Sequence, residues 1–566
     1  MRPKSKTSHT LKNSDSRVSL ALVFPNSMKV GLSNLGFQYL WNKFRGSKFF
    51  STERFFATET LLNNSTGSRM PVSADNQTPL KNFQVIAFSI PFENDYWIVP
   101  RMLINAGIPP FLRDRNSSGP LIIAGGVSVS MNPEVLGDFL NLAFIGETVG
   151  DIDEPNGFWR TVANCFTSNK VLADHEKICE NFMNVPGVYV PEAYKFEYRN
   201  DGIIHQITTL PGFPESVKAV KRSFLDPSIP IAVIEDTGSQ FSGSCLVEIN
   251  RGCGRGCRFC SGGWTHRPVR HYEYANIREM LAGSIKSKKT VGLVGSDLAS
   301  HPELLEILSD IVDRGGTFSL SSIRPEGLND QVIDLIARSG QKTATLAPEV
   351  ASRRLKEVIG KQIPSERFYE LIEKMVRSGV PNIRFYFMVG LPAETEDDVS
   401  QIVEFVLNAR EVFVNASRKM GRIGRIGVQL NAFVPKPWTP FQWVSALPRK
   451  DWERRMKIVK DGLKKLNNVV VRSESTKSSE IQAVLSRADR RISRSLVEMA
   501  TQGKFNLSCF SETEPGPAFY SERSREHDEI FPWDVVDHGV SKQTLRAIFE
   551  KATSLKKDNQ NVLSQY

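Results

Sequence analysis

The chain has 566 residues, of which 40% are hydrophobic and 24% are charged, and its formal net charge is +10. This composition is ordinary for a soluble globular protein, and the length is too great for one hydrophobic core, so we expect two to four domains. The seven cysteines, an odd number, argue against a disulfide scaffold, and no apolar run reaches the roughly 20 residues that a membrane helix needs. We therefore expect a cytoplasmic protein in a reducing compartment, without a membrane partner.

The first third of the chain alternates strand-like and helix-like segments. A polar tail at residues 1–16 precedes them, and we expect this tail to be disordered. Strand patterns that run into proline or glycine occur at residues 18–27, 83–92, 119–129 and 140–147, and helical patterns occur at 35–44 and 96–107. This alternation predicts a doubly wound, Rossmann-like parallel sheet, whose ligands would bind at the carboxyl ends of the strands.

The segment that follows is less regular. Residues 187–207 predict a hairpin that turns at Asn200, Asp201 and Gly202, and residues 225–244 predict an extended polar linker. We therefore place a domain boundary near residue 235.

After this boundary, strand patterns return at a regular spacing. They occupy residues 245–250, 290–296, 318–323, 343–349, 382–390 and 426–435, with helical patterns such as 302–316 between them. Six units are too few for a closed eight-unit barrel of roughly 250 residues, so an incomplete barrel is expected. The sequence thus predicts an α/β chain with an N-terminal doubly wound domain (17–235), an incomplete (β/α)6 barrel (236–470) and a small α+β, mainly helical C-terminal region (471–566).

Three cysteines lie together directly after the first barrel strand. They are Cys253, Cys257 and Cys260, spaced C-x3-C-x2-C among glycines and arginines. A structural zinc site takes four ligands, usually from two facing cysteine pairs, and this chain has no second pair. Three thiolates without a fourth favour a 4Fe–4S cluster with one iron left open to an exogenous ligand. A zinc knot or three incidental thiols is the alternative interpretation.

With Phe259 before its last cysteine, this segment resembles the signature of the radical S-adenosylmethionine (SAM) superfamily. The resemblance implies that the cysteines hold the cluster and that its open iron chelates SAM. It also implies that an electron cleaves the sulfonium to methionine and a 5′-deoxyadenosyl radical, which abstracts a hydrogen atom from an unidentified substrate. Followed from strand end to strand end, the resemblance implies SAM contacts by seven residues: Phe259, Asp297, Ser322, Arg324, Glu349, Met388 and Gly390.

The N-terminal domain, with the stretch FPNSMKVGLSNLGFQYLW, resembles an uncharacterised subgroup in the cobalamin-binding branch of the superfamily. The C-terminal stretch FPWDVVDHGVSKQTLRAIFEKA is similar to the same subgroup. Members that bind cobalamin through a histidine carry it after the first strand, where this chain has residues 25–30 without one. The resemblance therefore leaves cobalamin open as a further cofactor. A second cluster of the methylthiotransferase kind is not expected, because the N-terminal domain offers only Cys165 and Cys179.

The sequence indicates less about protein partners than about cofactors. The resemblance implies an acidic flavodoxin or ferredoxin as electron donor, which the positive net charge would attract. Two alternatives to the simple radical enzyme stay open: a cobalamin-dependent radical SAM methyltransferase, and an iron–sulfur sensor or nucleic-acid-binding protein without turnover.

Overall fold

The computed structural model describes residues 17–62, 70–116, 119–147, 152–155, 157–166, 175–223, 229–234, 241–287, 289–320, 323–510 and 513–554. The predicted tail at residues 1–16 lies outside this set.

The chain forms two compact units. The first takes the residues up to Ser223 with Leu485–Pro517 and Glu529–Asp537, and the second takes Phe224–Val484, Ala518–Asp528 and the residues from His538 onward. The domain boundaries near residues 235 and 470 stay predictions.

A six-stranded sheet forms the centre of the first unit. Its strands are β1 (Val18–Phe24), β2 (Phe50–Phe56), β3 (Val85–Ser89), β4 (Leu121–Gly125), β5 (Leu142–Phe144) and β6 (Val188–Tyr189), in the spatial order β2-β1-β3-β4-β5-β6. The first five are parallel, and β6 is antiparallel to β5. The four predicted strands coincide with β1, β3, β4 and β5, so the doubly wound sheet is confirmed. The direction of winding reverses between β1 and β3.

Strand β2 has no counterpart among the predicted elements. Its sequence interrupts the apolar pattern with Thr52, Glu53 and Arg54. The fold nevertheless buries the Glu53 carboxylate, which accepts hydrogen bonds from the Asn76 amide at 3.0 Å and the Thr78 hydroxyl at 3.2 Å. Both bonds go to Oε1, and Oε2 has no hydrogen-bond partner among the described residues. Donors reduce the cost of burying a carboxylate, and these donors come from a later segment that the local pattern does not reveal.

Short helices and a hairpin complete this unit. The helices are α1 (Met28–Leu32), α2 (Leu35–Arg45), α3 (Glu59–Leu62), α4 (Ile98–Asn105), α5 (Val127–Met131), α6 (Phe158–Asn164) and α7 (His175–Phe182). Both predicted helices, α2 and α4, are confirmed. The predicted hairpin is formed by β7 (Tyr194–Tyr198) and β8 (Ile204–Thr209), and Gly202 supplies the left-handed turn with φ +84°. The short strand β9 (Val217–Lys218) follows.

The second unit contains the barrel strands in two sheets. The first sheet comprises β10 (Ile231–Ile234), β11 (Ser244–Arg251), β12 (Arg270–His271), β13 (Thr290–Gly295) and β14 (Thr317–Leu320). The second comprises β15 (Thr343–Glu349), β16 (Asn382–Val389), β17 (Ile426–Ala432) and β18 (Val469–Ser473). The six predicted strands correspond to β11 and β13 to β17, and within each sheet these six strands pair with one another in parallel. The incomplete barrel is therefore confirmed.

Two strands of this unit differ from the sequence-based expectation. The segment at 225–244 was expected to be a linker throughout, but its residues Ile231–Ile234 form β10, antiparallel to β11. Strand β18 adds a seventh parallel strand beside β17. Its apolar pattern is only three valines long, and pairing with β17 rather than local propensity stabilises it.

Helices cover the outer face of the barrel sheets. They are α8 (Gly262–Thr265), α9 (Tyr274–Lys286), α10 (Leu304–Asp313), α11 (Asp330–Arg338), α12 (Arg353–Ile359), α13 (Ser365–Arg377), α14 (Glu396–Lys419) and α15 (Arg449–Leu463). Alternation along β16 buries Ile383, Phe385 and Phe387 in this outer core. The other face of the strand carries polar or half-buried residues.

The C-terminal region is mainly helical, as expected. Its elements are α16 (Thr476–Leu485), α17 (Ser493–Gln502), α18 (Pro517–Ser521), β19 (Val536–Asp537) and α19 (Lys542–Ser554). Strand β19 pairs with β9 of the first unit, to which both strands belong.

A buried ion pair ties the returning segment into the first unit. Arg490 lies with Nη2 2.7 Å from Oε1 and Nε 2.8 Å from Oε2 of Glu134, whose side chain is fully buried. The Tyr189 hydroxyl donates to the same carboxylate. Both carboxylate oxygens are thus satisfied by groups from distant parts of the chain.

Replacing Arg490 by methionine is therefore expected to destabilise the first unit by about 3–5 kcal/mol, because it leaves a buried carboxylate without its counter-charge. Urea denaturation followed by fluorescence measures this loss. The double variant E134M/R490M removes both charges and is the control, since it should recover part of the stability. Equal losses in the single and double variants would contradict the explanation.

Candidate active site

The loop after β11 holds the three clustered cysteines at the carboxyl end of the barrel strands. Gly252 begins the loop with φ +81°, and a Cβ there would lie 2.3 Å from the His266 carbonyl oxygen. The Trp264 indole N–H donates to the Cys257 carbonyl at 3.0 Å. A left-handed glycine and a buried indole therefore fix the path of the loop.

All three thiols are free, with Cys253 half-buried, Cys257 buried and Cys260 exposed. Burial raises the pKa of Cys253, and the nearby charges of Asp297 and Cys257 act in the same direction. Burial of the sulfur also raises the pKa of Cys260, and Cys257, Cys253 and Glu349 add to this effect. Like charges repel, so each of these ionised groups disfavours the ionisation of its neighbours.

The donor set has the chemistry of an iron–sulfur site. Within the described ranges, no three His, Cys, Asp or Glu side chains converge closely enough to hold a single metal ion. A cubane takes each thiolate at a different iron atom, so it does not need such convergence. Three free thiols on one glycine-rich loop therefore fit a 4Fe–4S cluster.

Two arginines lie against these sulfurs. Arg324, after β14, has Nη1 3.7 Å from the Cys257 sulfur and Nη2 2.9 Å from Glu326 Oε1. The Arg255 backbone N–H donates to the Cys253 sulfur at 3.4 Å. Positive charge and N–H donors beside thiolates stabilise their ionised form. Ser322, the other residue predicted at the end of β14, lies outside the described residues.

Asp297 follows β13 and lies beside the cysteine loop. Its Oδ2 is 3.1 Å from Arg255 Nε and 3.9 Å from the Cys253 sulfur. Its side chain is buried, and Oδ1 has no hydrogen-bond partner among the described residues. A buried carboxylate oxygen without a partner is costly unless a ligand supplies a donor. This oxygen fits an ammonium group bound next to the cysteines.

Glu349 ends β15 in an unusual backbone conformation. Its φ is +67°, which a non-glycine residue rarely adopts, and the strand pairing shifts register just before it. Buried Lys361 holds the side chain, with Nζ 2.9 Å from Glu349 Oε1 and 2.6 Å from the Ala347 carbonyl oxygen. Lys361 was not among the predicted site residues, because it follows Glu349 by twelve positions and lies beside it only in the folded chain.

Met388 and Gly390 lie at the end of β16. Met388 and Phe259 pack against one small apolar cluster that includes Val350 and Leu355, so the fold brings these two predicted residues together. Gly390 has φ +89°, and a Cβ there would lie 2.4 Å from Trp452 Nε1. Only glycine fits this position without strain.

A buried ion pair holds the loop after β16. The Gly390 backbone N–H donates to Glu394 Oε1 at 2.8 Å, and Arg455 Nε on α15 lies 2.9 Å from the same oxygen. Burial raises the pKa of Glu394 to about 7, while the Gly390 N–H and Arg455 oppose the shift. Arg455 was not among the predicted residues, because α15 follows the loop by some sixty positions.

Helix α12 connects the two loops. At its carboxyl end, the Arg258 guanidinium donates to the Glu357 carbonyl at 2.5 Å and the Val358 carbonyl at 2.7 Å. At its amino end, the Ser352 hydroxyl donates to Asp398 at 2.6 Å and Arg354 donates to the Ala393 carbonyl at 2.7 Å. The cysteine loop and the loop after β16 are thus anchored to the same short helix.

Comparison with known proteins now decides the family. The model for the N-terminal region of radical SAM proteins matches residues 36–191, and the model of the radical SAM superfamily matches residues 247–406. The second match contains the cysteine loop and the ends of β13 to β16. The chain belongs to the radical SAM superfamily. It is a radical SAM enzyme, and the cofactors of this family are a 4Fe–4S cluster and SAM.

The chain is similar to several proteins at low identity. It is 25% identical over 483 residues to an uncharacterized protein of Methanocaldococcus jannaschii, covering 84% of this chain and 90% of that protein. It is 26% identical over 295 residues to the ribosomal protein uS12 methylthiotransferase RimO of Desulforudis audaxviator, covering 50% of this chain and 62% of RimO. Less than two thirds of that methylthiotransferase is therefore matched.

Among solved structures, the fold is similar to that of the radical SAM methyltransferase TsrM from Kitasatospora setae, determined with cobalamin and a 4Fe–4S cluster bound. The TM-score is 0.44 at 12% identity, and the match covers 73% of this chain and 72% of TsrM. In the described part of the present chain, no helix is long and apolar enough to cross a membrane.

Proposed function

We propose that this radical SAM enzyme holds its cluster through Cys253, Cys257 and Cys260 and cleaves SAM reductively to modify a substrate. The observation that carries the proposal is the buried Asp297 carboxylate, which lies 3.9 Å from the Cys253 sulfur and has one oxygen without a hydrogen-bond partner among the described residues. Three thiols would leave one iron of a bound cubane without a protein ligand, and Asp297 would hold an acceptor for an ammonium group next to the cysteine loop.

Each surrounding residue has a role in this proposal. When bound, the cluster supplies the electron that converts SAM to methionine and a 5′-deoxyadenosyl radical. Asp297 accepts the ammonium group of SAM, and the fork of Arg324 matches its carboxylate or ribose oxygens, with Ser322 as a further donor.

The remaining contacts lie toward the nucleoside. Phe259 and Met388 form an apolar wall, and the backbone at Gly390 borders the adenine. Glu349, fixed by Lys361, completes the polar side of the pocket. These groups orient the cofactor and exclude water from the reacting carbon.

An external protein must supply the electron. We infer an acidic flavodoxin or ferredoxin, because the net charge of +10 favours encounter with an anionic partner. A donor of this kind should lose efficiency steeply as the salt concentration rises.

Cobalamin is a candidate further cofactor of the first unit. The sheet reverses its winding direction between β1 and β3, where doubly wound proteins bind ligands. Residues 25–30 offer no histidine there, so a bound cobalamin would lack that lower ligand. A cobalamin-dependent methyltransferase is therefore the second candidate function.

Anaerobic reconstitution tests the proposal. The purified chain is loaded with iron and sulfide, reduced with dithionite, mixed with SAM and analysed for 5′-deoxyadenosine, iron and extractable cobalamin. We expect about four iron atoms in each chain and formation of 5′-deoxyadenosine. A cluster without any SAM cleavage would instead indicate a sensor or nucleic-acid-binding protein, and stoichiometric cobalamin would favour the methyltransferase.

Arg455 should affect SAM binding without touching SAM. Replacing it by methionine removes the counter-charge of Glu394, so the loop at Gly390 loses its support. We expect the KM for SAM to rise about tenfold, which corresponds to roughly 1.4 kcal/mol, with little change in kcat.

The matched control is the neighbouring R454M. Arg454 is about half exposed and pairs with Glu396 at the surface, so its loss should leave the KM unchanged. An unchanged KM in R455M, or equal effects in both variants, would contradict this role of Arg455.

A further inference from the structure

Five polar side chains occupy the inner face of the sheet formed by β16, β17 and β18. Strand alternation places Arg384, Tyr386, Gln429, Asn431 and Arg472 opposite the buried apolar residues of the outer face. All five are half-buried or exposed. We call this set the inner polar face.

The inner polar face is not a packed core. The interior of a closed barrel is normally filled by layers of bulky branched apolar side chains. Among the described residues, these five side chains have a single hydrogen bond, from Gln429 Nε2 to Asn431 Oδ1 at 3.2 Å. Within the described residues, neither arginine has a carboxylate at ion-pair distance. Their hydrogen-bonding capacity is therefore almost entirely unused.

The strand register places this face directly below the proposed SAM site. Tyr386 pairs with Gln429, and Gln429 pairs with Arg472, so these three side chains form one row across the sheet. Asn431 pairs with Met388, the residue of the proposed adenine wall. The inner polar face therefore continues from the cofactor site into the barrel.

Arg384 lies at the other end of this face. Its Cγ would be 3.7 Å from a Cβ at Gly427, which is ordinary van der Waals contact, so the stem of the arginine packs over this glycine of the neighbouring strand. Strand spacing puts the Cα atoms of Arg384 and Arg472 about 12 Å apart. Two side chains of this length can reach one small anion.

We propose that the inner polar face binds the substrate and that the substrate is a small polar molecule bearing a carboxylate or phosphate. This inference rests on the proposed function, since the reacting carbon of SAM would lie at the Met388 end. The two arginines supply paired donors for an anionic group, and the amides and the phenol hydroxyl match further polar groups. An apolar substrate would leave these groups unsatisfied.

The test uses the reconstituted, full-length protein with SAM under anaerobic conditions. Calorimetric titrations with glycerol 3-phosphate, glycerate and glycerol separate a phosphate, a carboxylate and a neutral probe of similar size. We expect at least one of the two anions to bind in the millimolar range and glycerol not to bind. In the variant R384M/R472M the affinity for the bound anion should fall about tenfold or more, and R384K/R472K should restore part of it.

The control variant R353M/R418M removes two exposed arginines elsewhere on the same unit and should leave anion binding unchanged. Equal binding of glycerol, no binding of either anion, or unaltered anion binding in R384M/R472M would each overturn the inference. Formation of 5′-deoxyadenosine by the wild-type protein in the same preparation reports on the proposed function separately. Cleavage without anion binding overturns only the substrate class, and anion binding without cleavage overturns only the radical chemistry.

Discussion

Replacing Cys253, Cys257 and Cys260 together by alanine is expected to remove the iron, the visible absorbance and all formation of 5′-deoxyadenosine. The three thiols are the only cysteines of the described chain on this loop, and neighbouring side chains offer no equivalent ligands. Iron analysis, absorbance spectra and chromatography of the SAM reaction measure the three losses. The expected change is complete, because without its ligands the cluster has no protein site.

The matched control for this variant is C245A. Cys245 lies in β11, eight residues before the triplet, and is fully buried in the apolar core. Its removal should cost a little stability and no iron. Retention of SAM cleavage in the triple variant would show that the cluster is held elsewhere or that cleavage needs none.

Replacing Asp297 by asparagine is expected to weaken SAM binding by about 30- to 150-fold while the iron content stays unchanged. The substitution keeps the shape of the side chain but removes the charge that the proposed ammonium contact uses. A buried charge-assisted hydrogen bond of this kind contributes about 2–3 kcal/mol. Equilibrium dialysis of the reconstituted protein with labelled SAM measures the affinity.

The control for this experiment is D313N. Asp313 lies on α10, is mostly exposed and pairs only with Arg338 at the surface, so its loss should leave SAM binding unaltered. If D297N bound SAM as tightly as the wild type, the proposed contact between Asp297 and the ammonium group of SAM would be wrong. A parallel loss of iron would mean instead that Asp297 supports the cysteine loop.

The sequence predicted what depends on local pattern. Apolar runs that end in glycine or proline marked β1 and β3, which are buried on both faces. Alternating apolar residues marked barrel strands such as β16 and β17, which bury one face. The cysteine loop was equally visible, because its three ligands and its glycines are close in the chain. The start of α14 also follows from local pattern, since Thr395 forms a capping box with Asp398, three residues later in the chain.

Elements stabilised by distant partners were not visible in the sequence. Glu53 is buried in β2, where Asn76 and Thr78 donate to one of its carboxylate oxygens. Lys361 and Arg455 reach Glu349 and Glu394 after the chain has turned back toward the strand ends. No spacing in the sequence predicts such pairs, since their geometry follows from packing between elements. The ligand roles assigned to Arg324, Glu349 and Gly390 stay predictions.

The anchoring of two loops on α12 has a kinetic consequence. Helix α12 has only seven residues, so the two loops anchored on it would shift together. Under the proposed roles, this would fix the separation between the cluster and SAM, and hence the probability of electron transfer between them, before any substrate arrives. A substrate would then influence the reaction only through its position relative to the radical. Selectivity between substrates would therefore depend on the residues that line the interior of the barrel.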